Sequence, residues 1–304
     1  TSQVSANTEA GFSVVSYTGS GANANIGHGL GVTPSMIIVK NRDNGAQLWS
    51  VYHASTGAGQ VAHLNTTAAF SASGDWQSTT PDSNVYYTNN SPRTNELNSK
   101  MIAYCFAEVE GFSSFGSYVG TGVVGNVSVV TGFEPAMIIA KRTDAGSSNW
   151  FIWDNKRDTT NPNGTYLLPN ASNAENNLDA YGINFLENGF TVNSSDPQLN
   201  ASGGKYIYMA FAADPTTVEP SLEDSFNTVL YTGNRPSTQS ITGVGFQPDF
   251  VWIKNRDSGA YPHVLIDSVR GNTKYLQSNL TDAELTATNG ITSFDSDGCS
   301  LGDN

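Results

Sequence analysis

Three copies of one stretch constrain this chain more than any single residue does. Gly-Val-Thr-Pro-Ser-Met-Ile-Ile-Val-Lys-Asn-Arg-Asp at 31–43 returns as Gly-Phe-Glu-Pro-Ala-Met-Ile-Ile-Ala-Lys-Arg-Thr-Asp at 132–144. It returns again as Gly-Phe-Gln-Pro-Asp-Phe-Val-Trp-Ile-Lys-Asn-Arg-Asp at 245–257. Each copy reads as a turn, a buried strand and a polar stop. Proline presets φ and cannot donate to a ladder, so it belongs at the strand's start; apolar residues follow, and the Lys with its polar neighbours is expected to end the run in solvent. A strand ending in Tyr-x-Gly is expected before each copy, at Tyr17, Tyr118 and Tyr231, spaced 101 and 113 residues apart, and Pro34, Pro135 and Pro248 keep the same two spacings. Two independent markers in one register establish an internal repeat, and a repeat decides the architecture first.

The rest of each unit follows the same plan. An aromatic or apolar strand stands at 49–53, 150–154 and 263–267, and a closing strand at 100–107 and 205–212, with no third counterpart before the sequence ends at Asn304. This divides the chain into an N-terminal arm at 1–11, repeats at 12–111 and 112–213, an acidic connector with two prolines at 214–225, and a third repeat at 226–304 that lacks its closing strand. Asn188-Gly189 between apolar runs is the strongest short-range hairpin signal. Helical periodicity is absent apart from a candidate short helix at 281–288. Short strands, frequent turns and units near 100 residues predict an all-β chain of tandem antiparallel β-sandwich repeats, jelly-roll or lectin-like. Met36 to Val39, Phe250 to Ile253 and Trp150 to Trp153 are apolar on both faces, so a second layer must cover each strand: a long loop, a neighbouring repeat or a partner chain.

Composition removes several function classes. Charged residues are only 13%, yet 38% hydrophobic and 11% aromatic content supplies enough core to exclude general disorder. Lys+Arg 14 against Asp+Glu 27 gives −13, the wrong sign for a nucleic-acid groove or an anionic membrane surface, and no apolar run is long enough to span a membrane. Cys105 and Cys299 fall inside strand patterns and read as small buried hydrophobes. The sequence starts at Thr1 without Met or a secretory signal, which reads as a processed product or a portion of something longer.

No motif speaks for catalysis, a cofactor or a metal. His28, His53, His63 and His263 show no ligand spacing and read as surface or turn residues. Asp295-Ser296-Asp297-Gly298 resembles the start of a calcium loop, but the matching hairpin of the second repeat has Glu187-Asn188-Gly189, so a turn is the better reading. Asp154 with Arg157, and Asp267 with Arg270, share an Asp-x-x-Arg spacing that reads as a charge pair closing a turn; the first repeat has His53 and Thr56 there. Nucleophile elbows, phosphate loops and paired carboxylates are absent, which predicts a protein without enzymatic activity. Trp76, Tyr86, Tyr87 and Tyr181 lie in turn-rich segments among Asn, Asp and Ser, a setting suited to stacking on sugars; the competing reading has them capping the sandwich ends.

The repeat as a whole resembles an uncharacterised tandem-repeat domain of tail-fibre-like structural proteins of cyanophages and other aquatic phages. The resemblance rests on Tyr-Thr-Gly, on Gly-x-x-Pro-x-Met-Ile-Ile-x-Lys-Asn-Arg, on Trp-Phe-Ile-Trp-Asp-Asn-Lys-Arg-Asp at 150–158 and on Asn-Ala-Ser-Gly-Gly-Lys-Tyr-Ile-Tyr-Met-Ala-Phe at 200–211. It implies a β-rich structural role outside the cell, on a virion or on a cell surface, and transfers no catalytic residue. A sandwich lacking one strand exposes an edge that another segment must fill. The expectation is therefore a fibre subunit whose partners are copies of itself. Its arm, with Val4 and Ala6 as the apolar contacts, would complete the third repeat of the next subunit, head to tail, in a filament. The alternative is a glycan-binding receptor module using Trp76, Tyr86, Tyr87 and Tyr181 on surface glycans.

Overall fold

The computed structural model describes residues 2–212 and 225–303. It is all-β, 41% strand and 2% helix, and its sheets are antiparallel. The first repeat contains β1 (Ser2–Asn7), β2 (Phe12–Thr18), β3 (Ala24–Gly27), β4 (Met36–Asn41), β5 (Ser50–His53), β6 (Gln60–His63), β7 (Ser71–Ala72), β8 (Val85–Thr88) and β9 (Lys100–Phe106). Seven of these form one sheet in the order β1-β2-β9-β4-β5-β6-β7, and β3 pairs with β8.

The second repeat contains β10 (Ser113–Val119), β11 (Val127–Val130), β12 (Pro135–Arg142), β13 (Trp150–Asp154), β14 (Thr165–Tyr166), β15 (Asn176–Asn177), β16 (Gly182–Leu186), β17 (Gly189–Asn193) and β18 (Lys205–Ala212). Its sheets run β10-β18-β12-β13, β11-β17-β16 and β14-β15. The third contains β19 (Gln239–Ile241), β20 (Phe250–Ile253), β21 (Val264–Asp267), β22 (Lys274–Gln277), β23 (Leu285–Thr286), β24 (Ile291–Asp295) and β25 (Gly298–Leu301), in the orders β19-β25-β24 and β20-β21-β22-β23. The Asn188-Gly189 hairpin forms as expected between β16 and β17, with Gly189 at φ 142°, a value only glycine adopts readily.

The doubly apolar strands explain the packing. Because side chains alternate, Ile37 and Val39 enter the first repeat's own core with Tyr52, Trp76 and Tyr86, while Met36 and Ile38 point the other way. That outward face meets its counterparts. Trp49, Val51, Trp150, Ile152, Ile139 and Leu265, drawn from all three repeats, share one central core. The second layer is thus supplied by the neighbouring repeats.

The contacts between repeats form a closed cycle in which one position is used three times. The amide of Phe70 donates to Thr143 O at 2.9 Å, that of Glu175 to Arg256 O at 2.7 Å, and that of Glu284 to Arg42 O at 2.7 Å. Repeat 1 thus holds repeat 2, repeat 2 holds repeat 3, and repeat 3 returns to repeat 1. Indoles follow the same rule: Trp150 Nε1 donates to His63 O at 3.2 Å, and Trp49 Nε1 to Gln277 O and Leu280 O at 3.1 Å. The accessible surface of 12334 Å² is what one compact 32.3 kDa body exposes, about 12,300 Å², whereas three separate modules would expose about 16,600 Å².

Four sequence expectations change. Two of the three strand-ending lysines do not reach solvent: while Lys254 is partly exposed, Lys40 and Lys141 are fully buried. Their ammonium groups bond Gln47 O and Thr281 O (2.9 and 2.8 Å), and Ser148 O and Thr67 O (2.8 and 3.5 Å), so each spans a junction. The N-terminal arm is no free segment, since β1 pairs along its whole length with β2 of its own chain. Residues 281–288 hold β23 and no helix; the helix is α1 (Pro197–Asn200), capped by Asp196, whose carboxylate accepts from the Gln198 amide at 2.8 Å, with proline at the first helical position. Finally, residues 226–231, the counterpart of β2 and β10, form no strand. In the complete repeats the closing strand, β9 or β18, lies between that segment and β4 or β12, and the third repeat has no such strand among the described residues. The consequence is visible at the marker tyrosine: Tyr231 is 41% exposed, against 5% and 9% for Tyr17 and Tyr118. The connector expected at 214–225 lies, but for its last residue, outside the described residues.

Candidate functional site

Two kinds of site emerge, one buried where repeats meet and one open at sheet edges. At the junction of repeats 3 and 1, Asp267 and Arg270 at the end of β21 are fully enclosed and joined at 2.5 Å. Tyr104 of β9 donates its hydroxyl to Asp267 at 2.9 Å and accepts from Arg270 at 3.1 Å. Glu284 bridges Arg270 (3.4 Å) and Arg42, the latter through two bonds of 2.7 and 2.9 Å. Burial alone would raise the Glu284 carboxyl, but Arg42 and Arg270 outweigh it and hold it below the usual carboxylate range. Burial drives the Tyr104 hydroxyl well above its ordinary value, so it stays protonated and can donate.

The junction of repeats 2 and 3 repeats the arrangement. Arg157 pairs with Asp154 and with Glu175 (3.2 Å), and Glu175 takes two bonds of 2.8 Å from Arg256. Burial would raise Glu175 as well, and Arg256 with Arg157 lowers it. The Asp-x-x-Arg pairs visible in the sequence are therefore the inner half of two inter-repeat ion networks. Their outer halves, Glu175 and Glu284, escaped the sequence reading. Both lie five residues beyond an asparagine, Asn170 or Asn279, that accepts from the backbone of Trp150 or His263. Aligning the repeats on that asparagine places Glu175, Glu284 and Phe70 at one position.

The sequence-predicted aromatics are not brought together on a surface. Trp76 and Tyr86 are 2% and 0% exposed and pack edge to face at 6.4 Å, with Tyr52 on the other side of Trp76 at 6.2 Å. Sealed into the first repeat's core, they offer no face to a sugar. Tyr87 is half-buried and donates to Asp82 at 2.6 Å. Tyr181, in the second repeat, stacks on Phe151 at 5.4 Å. The bulk of these rings made capping the sandwich interior the stronger demand.

Histidines also depart from expectation. His28, His53 and His263 are buried, which lowers all three; His53 falls to about 4 and His263 to about 3 because desolvation disfavours the imidazolium. His53 Nε2 lies 3.2 Å from Tyr208 O of the next repeat. Cys105 and Cys299 are buried free thiols, as read from the sequence, and burial pushes Cys105 up to about 12. The carboxylates of the calcium-like turn are engaged locally: Asp297 accepts from the Gly243 and Gly245 amides (3.0 and 2.7 Å), and Asp295 from the Ser293 and Ser300 hydroxyls (2.6 and 2.7 Å). Among the described residues no group of three or more His, Cys, Asp or Glu is placed to hold a metal, and no helix is long and apolar enough to cross a membrane.

Among the described residues β1, β10 and β20 are each the last strand of their sheet. β1 and β10 pair with their inner neighbours over six and seven residues without a bulge, and neither contains a charge or a proline. That lack matters, because natural edges are usually blunted by lysine, proline or a twist. Beside β10 a groove of about 430 Å³ opens toward β11, lined by Ser117, Val119, Asn126, Ser128 and Val130 among others. Val119 and Val130 are 60% and 70% exposed. At the inner end the edge is closed, since the Glu108 carboxylate accepts from the Phe115 amide at 2.9 Å.

The repeat is shared beyond this chain. A family described as a domain of unknown function, DUF7483, matches residues 1–215 and 220–304. The chain belongs to that family. The first DUF7483 match takes in β1 together with the two complete repeats, and the second covers the third repeat. No curated protein and no solved structure matches the chain.

Proposed function

We propose that this DUF7483 chain is a structural subunit of an extracellular or virion-borne fibre, built of tandem lectin-like sandwiches and assembled from copies of itself. The observation that carries this reading is the pair of long, uncharged, bulge-free edges at β1 and β10, left unblunted by lysine or proline. An edge of that kind invites a further strand. The resemblance of the repeat to tail-fibre-like phage proteins points the same way. With Trp76 and Tyr86 sealed in the core, the glycan reading loses its central stacking pair. Electron microscopy of the purified chain over a range of concentrations tests the proposal. Filaments or regular end-to-end oligomers are expected; a protein that stays monomeric at every concentration contradicts it.

A further inference from the structure

We propose that the β10 edge of the second repeat is a strand-docking seat for the N-terminal strand of a second copy of this chain, so that one sheet runs on from copy to copy. This rests on the fibre reading and specifies its interface.

The first repeat shows what such a seat accepts. There β1 lies along β2 in register, Ser2 opposite Tyr17 and Asn7 opposite Phe12. It also leans on the end of β3: the Ser2 hydroxyl donates to Gly27 O at 3.3 Å, and a Cβ on Gly29 would meet Val4 at 2.9 Å. In the 101-residue register, Tyr17, Gly27 and Gly29 correspond to Tyr118, Ser128 and Val130. Those three residues line the groove beside β10. The groove lies where β1 sits one repeat earlier, but Val130 carries a side chain where Gly29 has none, so a strand docked there stands farther from β11 than β1 does from β3.

The second repeat has no strand of its own to put there. The residues that precede β10 by the distance separating β1 from β2 fall mostly in β9, an inner strand of the first repeat's sheet. Among the described residues none fills the place, and the occupant proposed comes from a second copy. Three observations select β1 of another copy. Among the described residues no strand pairs with its outer edge, and its residues are almost all exposed. The chain carries −13, and self-association requires surfaces that add no repulsion; neither β1 nor the groove residues include a charged side chain. Val4, 37% exposed, supplies an apolar contact for Val119 and Val130. The open edge of β20 is a different seat. Its counterparts hold β9 and β18, strands buried almost throughout, which polar β1 does not resemble.

The seat is short, because Glu108 caps the ladder at Phe115 and leaves Gly116 to Val119 free. Each contact is therefore weak alone, and affinity comes from the ladder with the valine patch around it. The arrangement is head to tail and does not close on itself.

Sedimentation equilibrium across a broad concentration range tests this with the full chain and two variants. Val119→Lys with Val130→Lys places charge in the groove at exposed positions, and Ser2→Lys with Gln3→Lys places it on the exposed start of β1; near-UV circular dichroism checks that each keeps its fold. Association is expected for the parent chain, weakened about tenfold or more by either variant, about 1.4 kcal/mol per tenfold step. Loss with the groove variant alone assigns a symmetric β10–β10 contact and overturns β1 as occupant. Association unaffected by the groove variant overturns the seat and leaves the fibre reading standing. A parent chain that is monomeric throughout overturns both.

Discussion

The junctions of the ring solve one geometric problem with two chemistries. Where repeat 3 meets repeat 1, and where repeat 2 meets repeat 3, an Arg–Glu pair flanks the shared backbone bond: Arg42 with Glu284 and Arg256 with Glu175. Where repeat 1 meets repeat 2 the same positions hold Thr143 and Phe70. The backbone bond survives there at 2.9 Å, and His53 reaches Tyr208 O where Asp267 reaches Tyr104 at the charged junction. The ring geometry is therefore set by backbone and apolar contacts common to the junctions, with an indole added at two of them. The ion networks are alternatives laid over it.

The largest separation between the junctions should come from Arg270→Met. It strands Asp267 without its cation in a fully enclosed site, and an unpaired buried charge costs about 3–5 kcal/mol. Denaturant unfolding should show that loss. Thr56→Met at the equivalent place in the uncharged junction strands no charge, and should change stability far less.

Acid should act on the uncharged junction through His53. Its folded-state value is depressed to about 4 while the unfolded imidazole titrates near 6.5, so the unfolded chain binds more protons between those values. Stability is therefore retained above pH 6.5 and lost as pH falls through that window, by on the order of 3 kcal/mol at about 1.4 kcal/mol per unit. Unfolding free energies measured at pH 7 and pH 4.5 for the parent and His53→Gln should converge at the lower value if this histidine dominates. His263, depressed to about 3, adds a slope of the same sign.

A smaller effect belongs to the indoles. Trp150→Phe removes the bond to His63 O, and Trp49→Phe those to Gln277 O and Leu280 O. Each is expected to cost about 0.5–1.5 kcal/mol, the net worth of one hydrogen bond, read by thermal unfolding, because His63 O keeps the Thr66 amide and Gln277 O the Leu280 amide. The two costs should match within about 1 kcal/mol if indoles serve both junctions alike. Smallest of all should be Phe70→Glu with Thr143→Arg, which transplants the ion pair into the uncharged junction. Partly exposed pairs contribute about 0–1 kcal/mol, and a double-mutant cycle should return a coupling in that range.

The periodicity of the chain made much of the fold legible. Apolar residues on both faces of the Met36–Asn41 strand required a second layer, and shared cores on either side of it meet that requirement. What stayed hidden was which layer. Lys40 shows why: a lysine after four apolar residues reads as a strand end in water, and nothing local reveals carbonyls of a segment 241 residues away waiting for its ammonium. His53 and His263 misled because neutral imidazole is a tolerable core group: His53 lies against Tyr208 O of the next repeat, and His263 accepts from the Trp252 indole of its own. Trp76 and Tyr86 looked exposed because their neighbours are polar, but a turn-rich segment still has an inner side and large rings fill it. The unpaired segment at 226–231 was readable only in part. The absent closing strand was visible, while its effect on the segment that would pair beside it follows from sheet order.

Small-angle X-ray scattering of the monomeric chain at high dilution tests ring closure most directly. A closed body of 304 residues should give a radius of gyration of about 19 Å. Three modules strung in a row, joined only to their sequence neighbours, would give about 28 Å from units of about 13 Å each. A value near 19 Å is the result this account predicts, and one above about 25 Å would contradict it.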